Sequence, residues 1–296
     1  MKINVKTIFK IVKTATKEWW SKDPFKESAV IAYYAIFSLP GLLVVIITVA
    51  GYFFGQDKVI ENITGQISSA MGVDTGRQIQ EIIIKGIESK TSVWSTILGV
   101  FTILLGATGV FVQFQKSLNN IWNVKADETK SGILHLLKAR LFSFGLILSI
   151  AFILIVSFVF SAILLAFGNW VAQRFSESLL IILQIVNFIL SLSILALLFA
   201  LMFKFFPDAK VKWKHVWIGS FVTALLFEIG KFSLEIYFGT ADPGSGYGAA
   251  GSIILILLWV SYSSMIVFYG AEFIHAYAEL QDGTIPPDEN ARRVHA

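Results

Sequence analysis

The sequence predicts an all-α, polytopic integral membrane protein with about six transmembrane helices and both termini in the cytoplasm. Hydrophobic residues make up 55% of the chain and charged residues only 15%, and the mean hydropathy is +0.71. Long apolar segments recur along the chain, and lysines are concentrated in alternate loops. A soluble domain carries about 25% charged residues, so a chain of this composition needs lipid around it.

The predicted transmembrane segments are apolar stretches of about 20 residues or more, the length that a helix needs to cross about 30 Å of hydrocarbon. They are residues 29–54, 93–114, 139–167, 179–203, 216–238 and 249–273. We expect residues 1–28 to form a cytoplasmic interfacial helix and residues 29–278 to form the transmembrane domain. The tail, residues 279–296, is predicted to be cytoplasmic and disordered.

The orientation follows from the distribution of lysine and arginine. Both residue types are abundant before the first span, between the second and third spans, and between the fourth and fifth. The third-to-fourth loop has only Arg174, the fifth-to-sixth loop has neither type, and acidic residues outnumber basic ones in the first-to-second loop. Because short cytoplasmic loops are enriched in lysine and arginine, both termini are predicted to be cytoplasmic and residues 56–91 external.

The N-terminal segment has the pattern of an amphipathic helix. Lysines alternate with apolar residues at helical spacing, namely Val5, Ile8, Phe9, Val12, Ala15 and Trp19. Such a helix lies in the membrane interface, with its lysines facing anionic lipid. Two interpretations stay open: an anchor that sets the topology, or a lipid sensor.

The loop between the first two spans is too long for a plain connection. Its apolar residues form two stripes at helical spacing, the first Val59, Ile60, Ile63, Ile67 and Ala70, the second Ile79, Ile82, Ile83 and Ile87. We therefore predict two short amphipathic helices that form a cap. The cap covers a cavity, binds an external partner, or packs on the bundle or the lipid headgroups.

The fifth predicted span contains three charged residues, Glu228, Lys231 and Glu235, spaced so that they share one helical face. Charges near the middle of a bilayer cost at least about 2.5–3.5 kcal/mol each unless they are paired or face a polar cavity. Gln184 and Asn187 of the fourth span lie at a matching depth. The group is either an ion, proton or substrate pathway, or a neutralised network that locks the bundle, with Lys231 paired to either carboxylate.

Two glycine-containing motifs have competing interpretations. Pro40 and Gly41 interrupt the first span near its middle, which predicts either a passive kink or a broken helix that lines a site. Residues Gly246 to Gly251 (GYGAAG) match the dinucleotide fingerprint as a string. That fingerprint needs a preceding strand, whereas this segment is predicted to lie between two transmembrane helices, so we expect a tight turn and no cofactor.

The sequence contains no cysteine, and its four histidines are scattered without metal-ligand spacing. His135, His215 and His275 are predicted to lie isolated near membrane ends, and His295 in the tail. We expect no metal, no catalytic residue and no enzymatic activity.

Several separate motifs, in order over residues 19–275, make the chain resemble the YihY/BrkB family of bacterial inner-membrane proteins, long labelled ribonuclease BN-like. They are Trp20 to Phe25 (WSKDPF), Ser28-Ala29, Ala32 to Pro40 (AYYAIFSLP), Leu118 to Trp122 (LNNIW), Phe227 to Lys231 (FEIGK), Tyr247 to Ala249 (YGA), Leu257 to Trp259 (LLW) and Gly270 to Glu272 (GAE). Pro207-Asp208 departs from the Pro-Asn expected of the family. The resemblance implies six spans, cytoplasmic termini and the bacterial inner membrane.

The suggested functions of this family include lipid-related transport and a role in virulence. We expect transport or flipping of a lipid-like or small anionic substrate; the alternative is a non-transporting envelope-maintenance or scaffold protein. The expected partners are membrane lipids and, through residues 56–91, an external protein, with no nucleic acid. A ribonuclease needs acid/base groups or metal ligands in a cleft, and the loops offer none in a recognisable pattern.

Overall fold

The computed structural model of the chain describes residues 4–88, 109–126, 177–289 and 291–294. Within these ranges three helices are long and apolar enough to cross a membrane, at Ile185–Phe205, Trp213–Ala241 and Gly251–Asp282. They correspond to the predicted fourth, fifth and sixth spans. The predicted third span and most of the second lie outside the described residues, so the number of six spans stays a prediction.

The described residues are mostly helical. The helices are α1 (Val5–Ser21), α2 (Pro24–Phe54), α3 (Gln56–Met71), α4 (Val73–Glu88), α5 (residues 109–121), α6 (Glu177–Phe205), α7 (Trp213–Ala241) and α8 (Gly251–Asp282). A short 3-10 helix, Ser245–Ala250, joins α7 to α8. Two strands, β1 (Val124–Ala126) and β2 (Ala291–Arg293), pair antiparallel with Val124 opposite Arg293.

Helix α8 is central to the bundle, because α1, α2 and α7 all pack against it, while α6 packs on α7. Aromatic side chains fill the largest core, with Phe114 of α5 stacked on Phe268 of α8 at 5.5 Å between ring centroids. Helices α7 and α8 approach closely through small residues. A Cβ added to Gly270 would collide with Thr223, and one added to Gly219 would collide with Ile274. These glycines therefore set how closely the two helices pack.

Helices α3 and α4 confirm the two short helices predicted between the first two spans. Gly72 separates them with a φ of 92°, a value that glycine adopts readily. The hairpin buries Val59, Ile79 and Ile83 in a cluster with Leu43 and Ile47 of α2. The apolar stripes of this hairpin are therefore used, at least in part, for packing on the bundle.

Helix α2 begins at Pro24, five residues before the predicted start of the first span. A proline in the first turn of a helix is favourable because its missing N–H would have no partner there. The helix then continues through Pro40 and Gly41 to Phe54 without a break. The broken-helix interpretation is therefore wrong, and the passive kink is the interpretation that agrees with a continuous helix.

The C-terminal tail differs from the prediction of disorder over the residues that the structure describes. Helix α8 extends to Asp282, and Gly283 ends it with a φ of 79°. Ile285 is buried, Ala209 forms a β-bridge with Pro287, and β2 pairs with β1. The tail is ordered because its backbone donors and acceptors find partners in the segments that follow α5 and α6.

Candidate functional site

Glu228, Lys231 and Glu235 lie along one edge of α7, beside the stripe that packs on α8. Gly230 of that stripe is buried against Tyr262 and Ile266, whereas Ile229 and Phe232 on the other side are exposed. The three charged side chains are each partly exposed. The structure thus places them at the boundary between the protein core and the outer surface of the helix.

The three charges do not neutralise one another in this structure. Among the described residues, no ion pair or hydrogen bond joins Lys231 to Glu228 or Glu235. The ion pair that their spacing permits is therefore not formed in this structure. Residues three and four positions apart come within reach on a helix, but these side chains, each partly exposed, do not meet.

Among the side chains that the structure describes, no direct contact forms the polar layer predicted between the fourth and fifth spans. Asn187 of α6 is exposed and, in the part of the chain that is described, makes no hydrogen bond to α7. The side chain of Gln184 lies outside the described residues. The structure brings Phe199 of α6 against Phe227 of α7 instead, with ring centroids 5.6 Å apart.

A second polar group, which was not predicted, is buried where α1, α2, α5 and α8 meet. Lys22 follows α1 and extends its Nζ to 2.9 Å from Oε1 of Glu272 on α8. The same Nζ donates a hydrogen bond to the backbone carbonyl of Ile121 at 3.2 Å. The side chain of Glu272 is only 1% exposed and that of Lys22 is 18% exposed. This is a buried ion pair between opposite ends of the chain.

The buried Glu272 carboxylate lacks hydrogen-bond donors among the described residues. Lys22 is within ion-pair distance but outside hydrogen-bond geometry, and neither carboxylate oxygen accepts a hydrogen bond from the described residues. Nδ1 of His275 lies 3.7 Å from Oε2, which is beyond hydrogen-bond distance. Lys22 is therefore the main source of stabilisation for this buried charge.

Glu27 of α2 provides a second carboxylate beside the ion pair. It accepts hydrogen bonds from Nε2 of Gln113 at 3.0 Å and from the hydroxyl of Ser117, both on α5. A small cavity with room for about one water molecule lies between these groups, lined by Trp19, Lys22, Pro24, Glu27, Ser117, Asn120, Ile121, Phe268 and Glu272. The ion pair of Lys22 and the hydrogen bonds of Glu27 together hold the turn between α1 and α2 against α5 and α8.

His215 and His275 are buried and paired, contrary to the expectation that they are isolated. His215 Nε2 lies 2.6 Å from Oδ2 of Asp282, which also contacts Lys212 at 3.0 Å. Asp282 lies at the end of α8, beyond the predicted span. The hydrogen bonds from His215 and Lys212 lower its pKa from 3.8 to about 2. His275 lies 3.3 Å from Glu279. His135 and His295 lie outside the described residues.

Within the described ranges, no cluster of three or more histidine, aspartate and glutamate side chains has a metal-binding arrangement. The segment GYGAAG lies in the 3-10 helix that follows α7 and in the first residue of α8, with no strand before it. A Cβ added to Gly251 would lie 2.5 Å from the carbonyl oxygen of Gly244, so this glycine permits a tight backbone approach.

Two features of the sequence mark Lys22 and Glu272 as separate residues of interest. Glu272 is the one acidic residue in the predicted span 249–273, and an ionisable residue inside a span normally has a partner. Lys22 and Glu272 also lie in two of the motifs on which the family resemblance rests, WSKDPF and GAE. Spacing along the chain gave no indication that these motifs meet.

Comparisons with known proteins agree with the resemblance. Residues 15–295 match the family described as "Virulence factor BrkB". A "UPF0761 membrane protein" of Pseudoalteromonas atlantica is 26% identical over 251 residues, which cover 83% of this chain and 78% of that protein. Proteins with the same description from Teredinibacter turnerae and Saccharophagus degradans are 26% and 25% identical, over 86% and 89% of this chain.

The chain spans only 57% and 58% of the lengths of the last two relatives. No solved structure matches the chain. The family match covers nearly the whole sequence, and the described helices include three apolar enough to cross a membrane. The chain therefore belongs to the BrkB family of membrane proteins.

Proposed function

We propose that this protein moves a lipid-like or small anionic substrate across the cytoplasmic membrane, with Glu228, Lys231 and Glu235 on the pathway. The observation that supports this proposal is that the three charges lie in an apolar helix without pairing to one another. A network whose role is to neutralise itself would join Lys231 to a carboxylate. Charges in a span that do not neutralise one another need water, a ligand or another polar group beside them.

Of the three residues, Lys231 is the one suited to bind an anionic substrate. Lys231 offers a compact positive charge to a phosphate or carboxylate group. Glu228 and Glu235 lie three and four residues away on the same face and do not contact Lys231 in this structure, but their spacing lets either carboxylate take the place of a substrate on Lys231. This competition keeps binding reversible, which a transport pathway requires.

The test is a flipping assay on the full chain reconstituted in vesicles that contain a fluorescent phosphatidylglycerol analogue, with dithionite to quench the outer leaflet. We expect the protein to accelerate loss of the inner-leaflet signal, and Lys231→Met and Glu228→Gln each to reduce this acceleration at least tenfold. Glu81→Gln, on the exposed face of α4, is the matched control and should retain full activity.

The triple variant Glu228→Gln, Lys231→Met and Glu235→Gln separates a pathway from a structural role. Because no ion pair among these residues is lost, we expect the triple variant to unfold in detergent at the same temperature as the parent chain. We also expect the triple variant not to flip lipid. A stable triple variant with full activity would show that these residues are not on the pathway.

The alternative, a non-transporting scaffold, rests on the α3–α4 hairpin. An open groove on this hairpin is lined by Ile60 and Ile84 and by polar or acidic side chains. The polar and acidic residues are Gln56, Asp57, Glu61, Thr64, Ser68 and Gln80. If the protein is a scaffold that binds a partner through this groove, Glu61→Lys should abolish complementation of a deletion phenotype. Transport through the bundle predicts that Glu61→Lys complements normally.

A further inference from the structure

Helix α1 is amphipathic, but the structure divides its apolar residues between two sides. Ile11 and Ala15 are buried against Phe273, Ala276 and Tyr277 of α8. The indole N–H of Trp19 donates to the carbonyl of Met265 at 3.2 Å, and the hydroxyls of Thr16 and Tyr269 lie 3.3 Å apart. The helix is therefore docked on the bundle in a defined orientation.

The remaining apolar side chains of α1 are not covered by the described part of the protein. They are exposed on the other side of the helix, namely Val5, Ile8, Phe9, Val12 and Trp20. Four lysines, Lys6, Lys10, Lys13 and Lys17, alternate with them, and Glu18 is the one acidic residue of the helix. An exposed surface that is both apolar and positively charged matches the interface of an anionic membrane.

Part of this surface is an open groove. It is lined by Phe9, Val12, Lys13, Thr16, Lys17 and Trp20, and we call it the α1 groove. Lys13 and Lys17 are one helical turn apart, so their ammonium groups can reach one phosphate from two sides. Phe9 and Val12 continue the groove toward the start of the helix with apolar surface.

The α1 groove lies where the chain approaches the membrane. Only Lys22 and Asp23 separate α1 from α2, which contains the first predicted span. Trp20 packs edge-on against Phe25 in the first turn of α2, with ring centroids 5.9 Å apart. Tryptophan at such a junction occupies headgroup depth, which brings the groove level with lipid phosphates.

We propose that the α1 groove binds one anionic phospholipid of the cytoplasmic leaflet. Lys13 and Lys17 hold its phosphate, and Phe9, Val12 and Trp20 contact the upper part of its acyl chains. Charge complementarity selects this occupant, because an anionic lipid brings a net negative charge to Lys13 and Lys17, whereas the positive group of a zwitterionic lipid offsets its own phosphate. The site is independent of α7, so the proposal does not depend on transport.

The experiment is native mass spectrometry of the full-length protein in detergent, titrated with phosphatidylglycerol or with phosphatidylcholine of the same acyl chains. We expect one phosphatidylglycerol to bind preferentially. Each lysine near an anionic surface contributes about a fivefold change in affinity, so Lys13→Gln with Lys17→Gln should weaken phosphatidylglycerol binding about 30-fold. Binding of phosphatidylcholine should change little.

The matched control is Lys58→Gln with Lys85→Gln, which removes the same charge from the α3–α4 hairpin and should leave lipid binding unchanged. All four lysines are exposed, so both double variants should fold, and circular dichroism verifies this. Equal affinity for the two lipids, or equal losses in both double variants, would overturn the proposal. A dimer that disappears with Phe9→Ser and Trp20→Ser would also overturn it, since a second copy would then occupy the groove.

Discussion

The ion pair between Lys22 and Glu272 predicts an unequal response to removing its two members. Lys22→Met leaves a carboxylate that is 1% exposed without its cation, whereas Glu272→Gln leaves a lysine that is 18% exposed. A long lysine side chain can move its charge toward water, but a glutamate on the buried face of α8 cannot. We therefore expect Lys22→Met to be the more destabilising substitution.

The magnitude follows from the geometry. At 2.9 Å and an effective dielectric constant of about 20, the attraction between the two charges is about 6 kcal/mol before desolvation is subtracted. Loss of one partner from a buried pair costs about 3–5 kcal/mol, because the remaining charge stays desolvated. We expect about this value for Lys22→Met, which also removes the hydrogen bond to Ile121. For Glu272→Gln we expect about 1–2 kcal/mol, since Lys22 keeps access to water.

The assay is reversible unfolding of the detergent-solubilised protein by a denaturing detergent, for the parent, the two single variants and the double variant. The double variant should be more stable than Lys22→Met alone, because no orphan charge remains. Lys85→Met is the control: it removes an exposed pair with Glu81 at 3.7 Å and should change stability by less than about 0.5 kcal/mol. Equal losses in the two single variants, or additive losses in the double variant, would refute the reasoning.

The remaining predictions concern topology, packing, pH and activity. A cysteine placed at Val73, in a chain that otherwise has none, should react with a membrane-impermeant maleimide in intact spheroplasts; labelling only after lysis would place the hairpin in the cytoplasm. Gly270→Val should destabilise the protein by about 2 kcal/mol or more, because the new side chain collides with Thr223 of α7, whereas the same change at exposed Gly65 should cost less than half as much. Asp282 has a lowered pKa, so its contribution to stability is present above about pH 4 and is lost as the pH falls toward 2; Asp282→Asn should remove this dependence from the thermal midpoint. The purified chain should not cleave RNA, and cleavage that a single substitution abolishes would contradict this.

The sequence by itself was sufficient to place three of the apolar helices. Residues 179–203, 216–238 and 249–273 were predicted from composition alone, and α6, α7 and α8 contain nearly all of them. The hairpin of α3 and α4 followed from apolar residues at helical spacing. These features are predictable because partition into lipid and helix periodicity depend on residues that are neighbours along the chain. The family could be recognised for a similar reason, since its motifs are short continuous strings.

The contacts between distant segments were decided only by the tertiary structure. The spacing of Glu228 and Lys231 permits an ion pair that the structure does not form, while Lys22 and Glu272 form one from opposite ends of the chain. The strand Ala291–Arg293 likewise depends on Val124–Ala126 to complete its hydrogen bonds. Periodicity records which side of a helix is apolar, but not which polar atoms meet there. An ion pair or a strand pairing forms only when packing brings two remote segments within about 3–4 Å, and that distance is a property of the whole fold.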